Sequence, residues 1–357
     1  MRKVNTADLV PGMVTAENVY NYVNQLILPK GLTLTDKSIT RLEFYSILSI
    51  RVEDSIVDGL VTKETEKSVF ERMREQPSFR VFRQTFDEAV ADFTGILDNV
   101  ANGAEEFNTD KVWNLFEEIW NSKEDNISVF SLLQNMRTSD DPTYAHCMNV
   151  ALLTNVFCDW LHYSEDDTRI ATTAAMLHDI GKTKIDYAII NKPERLTETE
   201  FGIVKTHALE GYNIVKDMNL NVHIKNAVLM HHERCDGSGY PLGLQGDRID
   251  RFAKLIGIID VYEAMTAKRC YRGPMCPFEV VELFEMEGLQ KYDTQFILTF
   301  LENIVYSFVQ HRVRLNNGAE GEIVFVNRSS LARPTIKCGS TYIDLSTERN
   351  LFIKEII

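Results

Sequence analysis

The spacing of apolar residues predicts a mainly α-helical protein with small β-rich units at both ends. Residues 1–62 alternate short apolar or β-branched stretches with turn residues such as Pro11-Gly12, which predicts a small β-rich accessory domain. Residues 126–312 carry apolar positions at helical spacing, and residues 313–357 return to the alternation typical of strands. With a helical connector over residues 63–125, the pattern divides the chain into four parts.

The connector contains one long amphipathic helix. Apolar residues recur in steps of three and four from Phe79 to Val100, and the pattern stops at Asn102-Gly103, where a glycine suits the residue that follows a helix. Such an apolar stripe needs a partner. The following helices and a second copy of the chain fit equally well, so the pattern predicts either intramolecular packing or a homodimer through the connector.

Composition and charge limit the class of protein. The chain has 357 residues, of which 44% are hydrophobic, enough for a large core. Its 38 basic and 52 acidic residues give a formal net charge of -14, which argues against coating of long nucleic acid or an anionic membrane. No apolar run reaches the ~18 residues of a membrane span, and the first residues lack a signal peptide's apolar stretch. We therefore expect a cytoplasmic protein with reduced, scattered cysteines.

Potential metal ligands are concentrated in the helical segment. Seven of the eight histidines lie between residues 146 and 260. Five of them, with two aspartates, form the candidate set, and imidazole and carboxylate suit a borderline divalent metal. We expect each at an apolar helix face or a helix end; His207, for example, falls inside a helix opened by a Thr197–Glu200 capping box. Because successive helical side chains diverge by about 100°, neighbouring ligands can approach two ions from different sides. The predicted two-metal centre consists of His146, His178, Asp179, His207, His231, His232 and Asp260.

Cations and a glycine-rich loop near these ligands indicate a phosphate ester as substrate. Lys182 follows the His-Asp pair closely, and Arg269 and Arg272 follow Asp260 by nine and twelve residues, so three cations could surround an anion. The loop that carries Tyr240 lacks the Lys-Ser/Thr of a P-loop, but its tyrosine could stack on a base. A solvated helix end and a simple tight turn are the structural alternatives.

Several motifs of this segment resemble those of the HD-GYP family of cyclic di-GMP phosphodiesterases, a branch of the HD-domain metal phosphohydrolases. The HHE…DGSGYP string, in register with the other motifs, is the most specific of them. The matching strings are Tyr144-Ala-His146, Leu177-His-Asp-Ile-Gly-Lys182, Lys205-Thr-His207, His231-His-Glu-Arg-Cys-Asp-Gly-Ser-Gly-Tyr-Pro241, Asp260-Val-Tyr-Glu-Ala-Met-Thr266 and Arg269-Cys-Tyr-Arg272.

The resemblance implies an all-helical HD-type fold for residues 126–312 and a role for each matching residue. The seven ligands would bind the metals, Asp179 would bridge them, and Asp179 and Lys182 would be catalytic, with Lys182 at the scissile phosphate. Pro142 stands where some members have a glutamate that supports a third metal, so two ions are expected. Iron or manganese follows from the resemblance, whereas the ligands themselves would also accept zinc or nickel. The residues implied to contact the cyclic dinucleotide are Lys182, Tyr240, Arg269 and Arg272.

The implied activity is hydrolysis of cyclic di-GMP to the linear dinucleotide pGpG, with a possible second round to GMP, in bacterial second-messenger signalling. Two alternatives remain open: an HD phosphohydrolase for another cyclic dinucleotide or a nucleotide, and a cyclic di-GMP sensor that has lost turnover. An adaptor role towards other signalling proteins is compatible with either.

Overall fold

The fold is described from a computed structural model. The residues it describes are 2–6, 9–20, 26–35, 38–39, 42, 47, 49–53, 73–124, 128–136, 143–192, 194, 196–267 and 274–357. These residues belong to two compact units, Met1–Glu66 and Lys67–Ile357. The division into four parts made from the sequence stays a prediction.

Short antiparallel strand pairs form the first unit. Strand β1 (Arg2–Asn5) pairs with β4 (Ser49–Val52), and β2 (Val19–Tyr20) pairs with β3 (Leu26–Leu28). Because a two-stranded ribbon alone is marginally stable in water, the pairs depend on a shared apolar core. The buried residues of that core are Leu9, Val19, Ile27, Leu28, Leu34, Leu42, Ile50 and Val52.

Helices dominate the second unit, so the protein is mainly α-helical, as its apolar spacing predicts. The first helices are α1 (Pro77–Ala101), α2 (Thr109–Ser122), α3 (Val129–Met136), α4 (Thr143–Trp160) and α5 (Glu165–Leu177), followed by the 3-10 helix Ile180–Lys184. Next come α6 (Tyr187–Ile190), α7 (Glu198–Lys205), α8 (His207–Val215), α9 (Val222–Met230), the 3-10 helix Gly246–Arg248 and α10 (Arg251–Thr266). The last are α11 (Pro277–Leu283), the π-helix Phe284–Gly288, α12 (Leu289–Lys291) and α13 (Thr294–Ser307).

The apolar stripe of α1 is buried inside this unit. Phe82, Phe93 and Leu97 are at most 1% exposed, and α1 packs against α2, α4 and the 3-10 helix Ile180–Lys184. The stripe therefore has its partner within the chain, which supports intramolecular packing. A homodimer through the connector stays a prediction that this stripe does not support.

The side-chain caps of α5 and α7 lie where the sequence predicts them, but the predicted position of His207 needs a correction. The Ser164 hydroxyl accepts from the Asp167 N–H at the start of α5, and Thr197 and Glu200 form the capping box of α7. However, His207 does not lie inside the helix that Thr197 opens: α7 ends at Lys205 and α8 begins at His207. The hydroxyl of Thr206 donates to the Ile203 carbonyl at 2.7 Å, and such back-bonding competes with the helix ladder and bends helices.

The C-terminal β unit is an antiparallel sheet that packs on the helices. Its strands are β5 (Arg312–Leu315), β6 (Glu320–Asn327), β7 (Ser330–Cys338), β8 (Thr341–Asp344) and β9 (Ile353–Ile356), in the order β8-β7-β6-β5-β9. Arg333 on β7 pairs with Glu282 on α11 at 2.7 Å, and the Glu285 carboxylate accepts from the Leu331 N–H at 2.7 Å. The sheet is thereby attached to α11 and to the π-helix. Within the described part of the chain, no helix combines the length and the apolar character of a membrane span.

Candidate metal centre

Five helical elements bring the predicted ligands into one buried site. His146 lies in the first turns of α4, and His178-Asp179 follow the last residue of α5. His207 begins α8, His231-His232 follow the end of α9, and Asp260 lies within α10. His178 and His231 are 0% exposed, and the two aspartates are at most 7% exposed. Residues far apart in sequence therefore converge, as the sequence analysis predicts.

The ligand atoms fall into two groups. In the first, one atom each of Asp179, His207, His231 and His232 lie within 4.8 Å of one another; in the second, so do atoms of His146, His178 and Asp260. Each group offers imidazole nitrogen and carboxylate oxygen, the donors of borderline divalent metals. The arrangement can hold a metal ion in each group.

Asp179 lies between the two groups and presents a different oxygen to each. Its Oδ2 is 3.4 Å from His178 Nε2 and 3.8 Å from His146 Nε2. Its Oδ1 is 3.3 Å from His207 Nε2 and 3.9 Å from His231 Nε2. One carboxylate can therefore serve both groups, which is the geometry that a bridging ligand requires.

Backbone hydrogen bonds orient three of the imidazoles. The Nδ1–H groups of His178, His207 and His231 donate to the carbonyls of Ala175, Val204 and Val228, at 2.7, 2.6 and 2.9 Å. Since a carbonyl only accepts, each Nδ1 carries the proton and each Nε2 keeps its lone pair for the site. This is the tautomer that Nε2 ligation requires.

Several acceptor atoms in the centre have no hydrogen-bond donor. Such unpaired acceptors are typical of a site that binds a cation. Among the described residues, the buried His178 Nε2 and Asp179 Oδ1 atoms have no hydrogen-bond partner. The Nε2 atoms of His207 and His231 face each other at 3.2 Å, although both lack a proton. Buried acceptors without donors are costly, so these residues fit a divalent cation.

The pKa shifts give the ligands the charge states that metal binding needs. Burial lowers the pKa of His207, and burial together with the neighbouring His232 charge lowers that of His231 well below its usual value. Burial lowers the pKa of His232 to about 3. Burial alone would raise the pKa of Asp179, but Lys182 and His178 hold it well below its usual value. At neutral pH His207, His231 and His232 are therefore neutral and the Asp179 carboxylate is ionised.

Of the three predicted side-chain cations, Lys182 lies among the residues that the structure describes. Its Nζ donates to Asp179 Oδ2, and its side chain remains 25% exposed. Burial would lower the pKa of Lys182, but the Asp179 charge outweighs burial and raises it. The ammonium group is therefore held charged at the edge of the site. Arg269 and Arg272, the other predicted cations, and Pro142 lie outside the described residues.

Comparison with known proteins agrees with this geometry. Residues 130–296 match the model of the HD domain family. This segment is an HD domain. It contains every residue of both ligand groups.

Several relatives of this HD domain are named as phosphodiesterases. The cyclic di-GMP phosphodiesterase PA4108 of Pseudomonas aeruginosa is 33% identical over 207 residues, 57% of this chain and 50% of the relative. The 3'3'-cGAMP-specific phosphodiesterase 3 of Vibrio cholerae is 35% identical over 133 residues, 37% of this chain and 29% of the relative. A cyclic di-GMP phosphodiesterase of Thermotoga maritima is 30% identical over 226 residues, 63% of this chain and 58% of the relative. The chain spans about half the length, or less, of the first two relatives.

Glu263 supports the HD domain's first histidine, a role that the sequence analysis missed. The Glu263 carboxylate lies 2.5 Å from His146 Nδ1 and also accepts from the Asn149 amide at 3.0 Å. Burial disfavours a charged imidazole, but Glu263 and Asp260 outweigh it and raise the pKa of His146 to about 10. A carboxylate behind a histidine orients the ring and strengthens it as a ligand. The available signal was the three-residue spacing of Asp260 and Glu263, which places both on one helix face.

Glu233 holds the loop that carries Tyr240, and the sequence analysis gave it no role either. Its buried carboxylate accepts from the N–H groups of Leu242 at 2.6 Å and Leu244 at 2.9 Å. The Tyr240 N–H donates to the His232 carbonyl at 3.2 Å. As a result, the Tyr240 ring stacks on the His232 ring, with 4.6 Å between centroids. The loop thus places an aromatic ring directly beside His232, a candidate metal ligand of the HD domain.

Proposed function

We propose that this chain hydrolyses cyclic di-GMP to pGpG at a two-metal centre, with GMP as the product of a second round. The observation that carries the proposal is the position of Asp179, whose two oxygens face two separate groups of ligands. Two-metal centres of this kind act on phosphate esters. The names of several relatives support the substrate class.

In this proposal the two ligand groups hold one divalent ion each, iron or manganese, with Asp179 shared between them. Bound ions would supply Lewis-acid stabilisation of the phosphoryl oxygens and a water of lowered pKa. The backbone-bonded Nδ1–H groups of His178, His207 and His231 keep these rings fixed while substrate binds. Preorganisation of this kind avoids a cost of reorientation during the reaction.

Lys182 would contact the scissile phosphate. Its Nζ holds its proton against Asp179 Oδ2 at the partly exposed edge of the centre. A charged donor there can pair with a non-bridging phosphate oxygen as negative charge grows on it. We further propose that Tyr240 stacks on the dinucleotide and that Arg269 and Arg272 contact it.

A second candidate substrate is 3'3'-cGAMP. The reason is specific: a relative with about the same identity to this chain is named as specific for that dinucleotide. Both molecules present two purine bases and two phosphodiester groups, so the metal centre alone does not distinguish them. The cytoplasmic location, the homodimer and the signalling-protein partners stay predictions.

The test combines metal analysis with product chromatography. Purified chain loaded with Mn²⁺ or Fe²⁺ is incubated with cyclic di-GMP and, separately, with 3'3'-cGAMP. We expect pGpG from the first, about two metal ions per chain, and loss of both turnover and metal in Asp179→Ala. Tight binding of cyclic di-GMP by metal-loaded protein without any product would identify a sensor and refute the proposed hydrolysis. Full activity of Asp179→Ala would refute its bridging role.

A further inference from the structure

Beside the metal centre lies a cluster of two aromatic rings and one cation, which we name the α7 rim and define as Phe201, Lys205 and Tyr240. The Lys205 Nζ lies 5.2 Å from the centroid of the Phe201 ring and 5.9 Å from that of Tyr240. Tyr240 in turn stacks on His232. The α7 rim therefore continues outward from a metal ligand to the protein surface.

The α7 rim is held in place by secondary structure. Phe201 and Lys205 are four residues apart on α7, so they share one helix face. The capping box of Thr197 and Glu200 anchors the start of that helix, and His207 follows Lys205 by two residues. The position of the α7 rim relative to the metal centre is thus set by short connections, as a preorganised subsite requires.

The chemistry of the α7 rim suits an aromatic anion. Phe201 leaves 49% of its surface exposed, a large amount for an aromatic ring in a folded domain. In the part of the chain that the structure describes, no carboxylate lies within 4.0 Å of Lys205 Nζ, so the ammonium keeps its charge available. An exposed ring next to an available cation is the combination that binds a nucleobase and its phosphate.

A cyclic dinucleotide needs contacts for both of its halves. In the proposed reaction one phosphate lies at the metals and Lys182, which leaves the second phosphate and its base outside the metal centre. Nothing in the two ligand groups would recognise that second half. The α7 rim provides a cation and an exposed ring on the outward side of Tyr240, where that half would lie.

We propose that Phe201 and Lys205 form a subsite for the second nucleotide of the substrate. The Phe201 ring stacks on its base, and the Lys205 ammonium pairs with the phosphate that is not cleaved. This inference rests on the proposed function, because it assumes a dinucleotide at the metal centre. It adds two substrate contacts, so we expect a dinucleotide to bind better than a small phosphodiester.

Binding tests the subsite separately from turnover. Titration calorimetry measures the Kd of metal-loaded protein for cyclic di-GMP in wild type, Phe201→Ala and Lys205→Gln. We expect each variant to weaken binding by about fivefold to 100-fold, the range that loss of one base–aromatic stack or one charge contact covers. Lys205→Arg keeps the charge and should restore most of the affinity. Phe325→Ala and Lys337→Gln, at exposed positions of the C-terminal sheet, are matched controls with wild-type affinity.

Kinetics separates recognition from a structural role. The ratio of kcat/KM for cyclic di-GMP to that for bis(p-nitrophenyl) phosphate, a diester without a base, should fall at least about fivefold in both variants. A purely structural role would lower both values and leave the ratio unchanged. Raising the salt concentration should weaken cyclic di-GMP binding less steeply in Lys205→Gln than in wild type, because one ionic contact is missing.

The outcomes distinguish this inference from the proposed function. If wild type binds cyclic di-GMP but does not cleave it, the proposed hydrolysis fails while the binding series still decides the subsite. If Phe201→Ala and Lys205→Gln bind like wild type, or if wild type binds no cyclic dinucleotide, the subsite is refuted. A higher Kd for cyclic di-GMP, together with a lower ratio of the two kcat/KM values, supports the subsite.

Discussion

Replacing Gly181 with alanine should disrupt the metal centre through packing alone. Gly181 lies between Asp179 and Lys182, and its 3-10 helix packs directly on the start of α8. A Cβ atom at this position would lie 1.9 Å from the His207 carbonyl oxygen and 2.4 Å from the Gly211 nitrogen. Ordinary contacts between non-bonded heavy atoms are about 3.5–4.0 Å. The two segments must therefore separate by more than about 1 Å to admit the methyl group.

That separation acts on both stability and ligand geometry. Overpacking of this kind typically costs about 1–3 kcal/mol, occasionally more, which lowers the melting temperature of a domain this size by roughly 2–12 °C. The same movement pulls Asp179 Oδ1 away from His207 Nε2, now 3.3 Å apart. A misplacement of about 1 Å can cost on the order of 100-fold in rate. The turnover rate should therefore fall by more than the loss of folded protein accounts for.

The assay pairs thermal unfolding, followed by circular dichroism, with metal content after loading with Mn²⁺. Gly95→Ala on α1 is the matched control, because nothing lies within 4 Å of a Cβ there and the position is exposed. Alanine at such a helix position should stabilise by about 0.5–1 kcal/mol. If Gly181→Ala melts like wild type and binds metal normally, the two segments are not in the close contact described here.

Three further predictions concern the surroundings of the ligands. Removal of metal by a chelator should lower the melting temperature, and Mn²⁺ should restore it, since an ion at 100 times its Kd adds about 2.7 kcal/mol to the free energy of unfolding. Identical melting of the chelated and the Mn²⁺-loaded protein would contradict a metal site. Glu263→Ala should weaken metal affinity about 10–100-fold, whereas Glu263→Gln should weaken it less because the amide oxygen still accepts from His146. Equal loss in both variants would exclude a role of Glu263 in orienting the His146 ring. Tyr144→Phe removes the hydroxyl that donates to Asp98 at 2.6 Å and should cost about 0.5–1.5 kcal/mol in unfolding free energy, whereas an unchanged value would show that this link between α1 and α4 does not contribute.

The seven candidate ligands could be singled out from the sequence because each carries local marks. His178-Asp179 follow a run of helical apolar residues, His231-His232 end another, and imidazole and carboxylate are scarce at such buried positions. The caps of α5 and α7 and the alternation of the C-terminal strands were likewise predicted from neighbouring residues, and the structure confirms them. Local spacing is sufficient for features of this kind, since their hydrogen bonds join residues a few positions apart.

Other features could not be predicted because they depend on which helices pack together. The apolar stripe of α1 has the same pattern whether it packs on α2 and α4 or on a second chain, and its burial inside one chain is a result of the fold. The close contact between the segment of Gly181 and the start of α8 was missed for a similar reason. The 3-10 helix of Gly181 packs on the start of α8, and no pattern within α7 and α8 indicates that contact.

By itself the sequence determined which side chains could hold metal and the local helices and strands on which they lie. The tertiary structure alone decided that these ligands form two groups, that Asp179 turns one oxygen to each, and that Glu263 supports His146 across the helix packing. The physical reason is the range of the interactions. Periodicity and caps act within a few residues, whereas a metal centre depends on distances between atoms that only the packing of separate helices brings together.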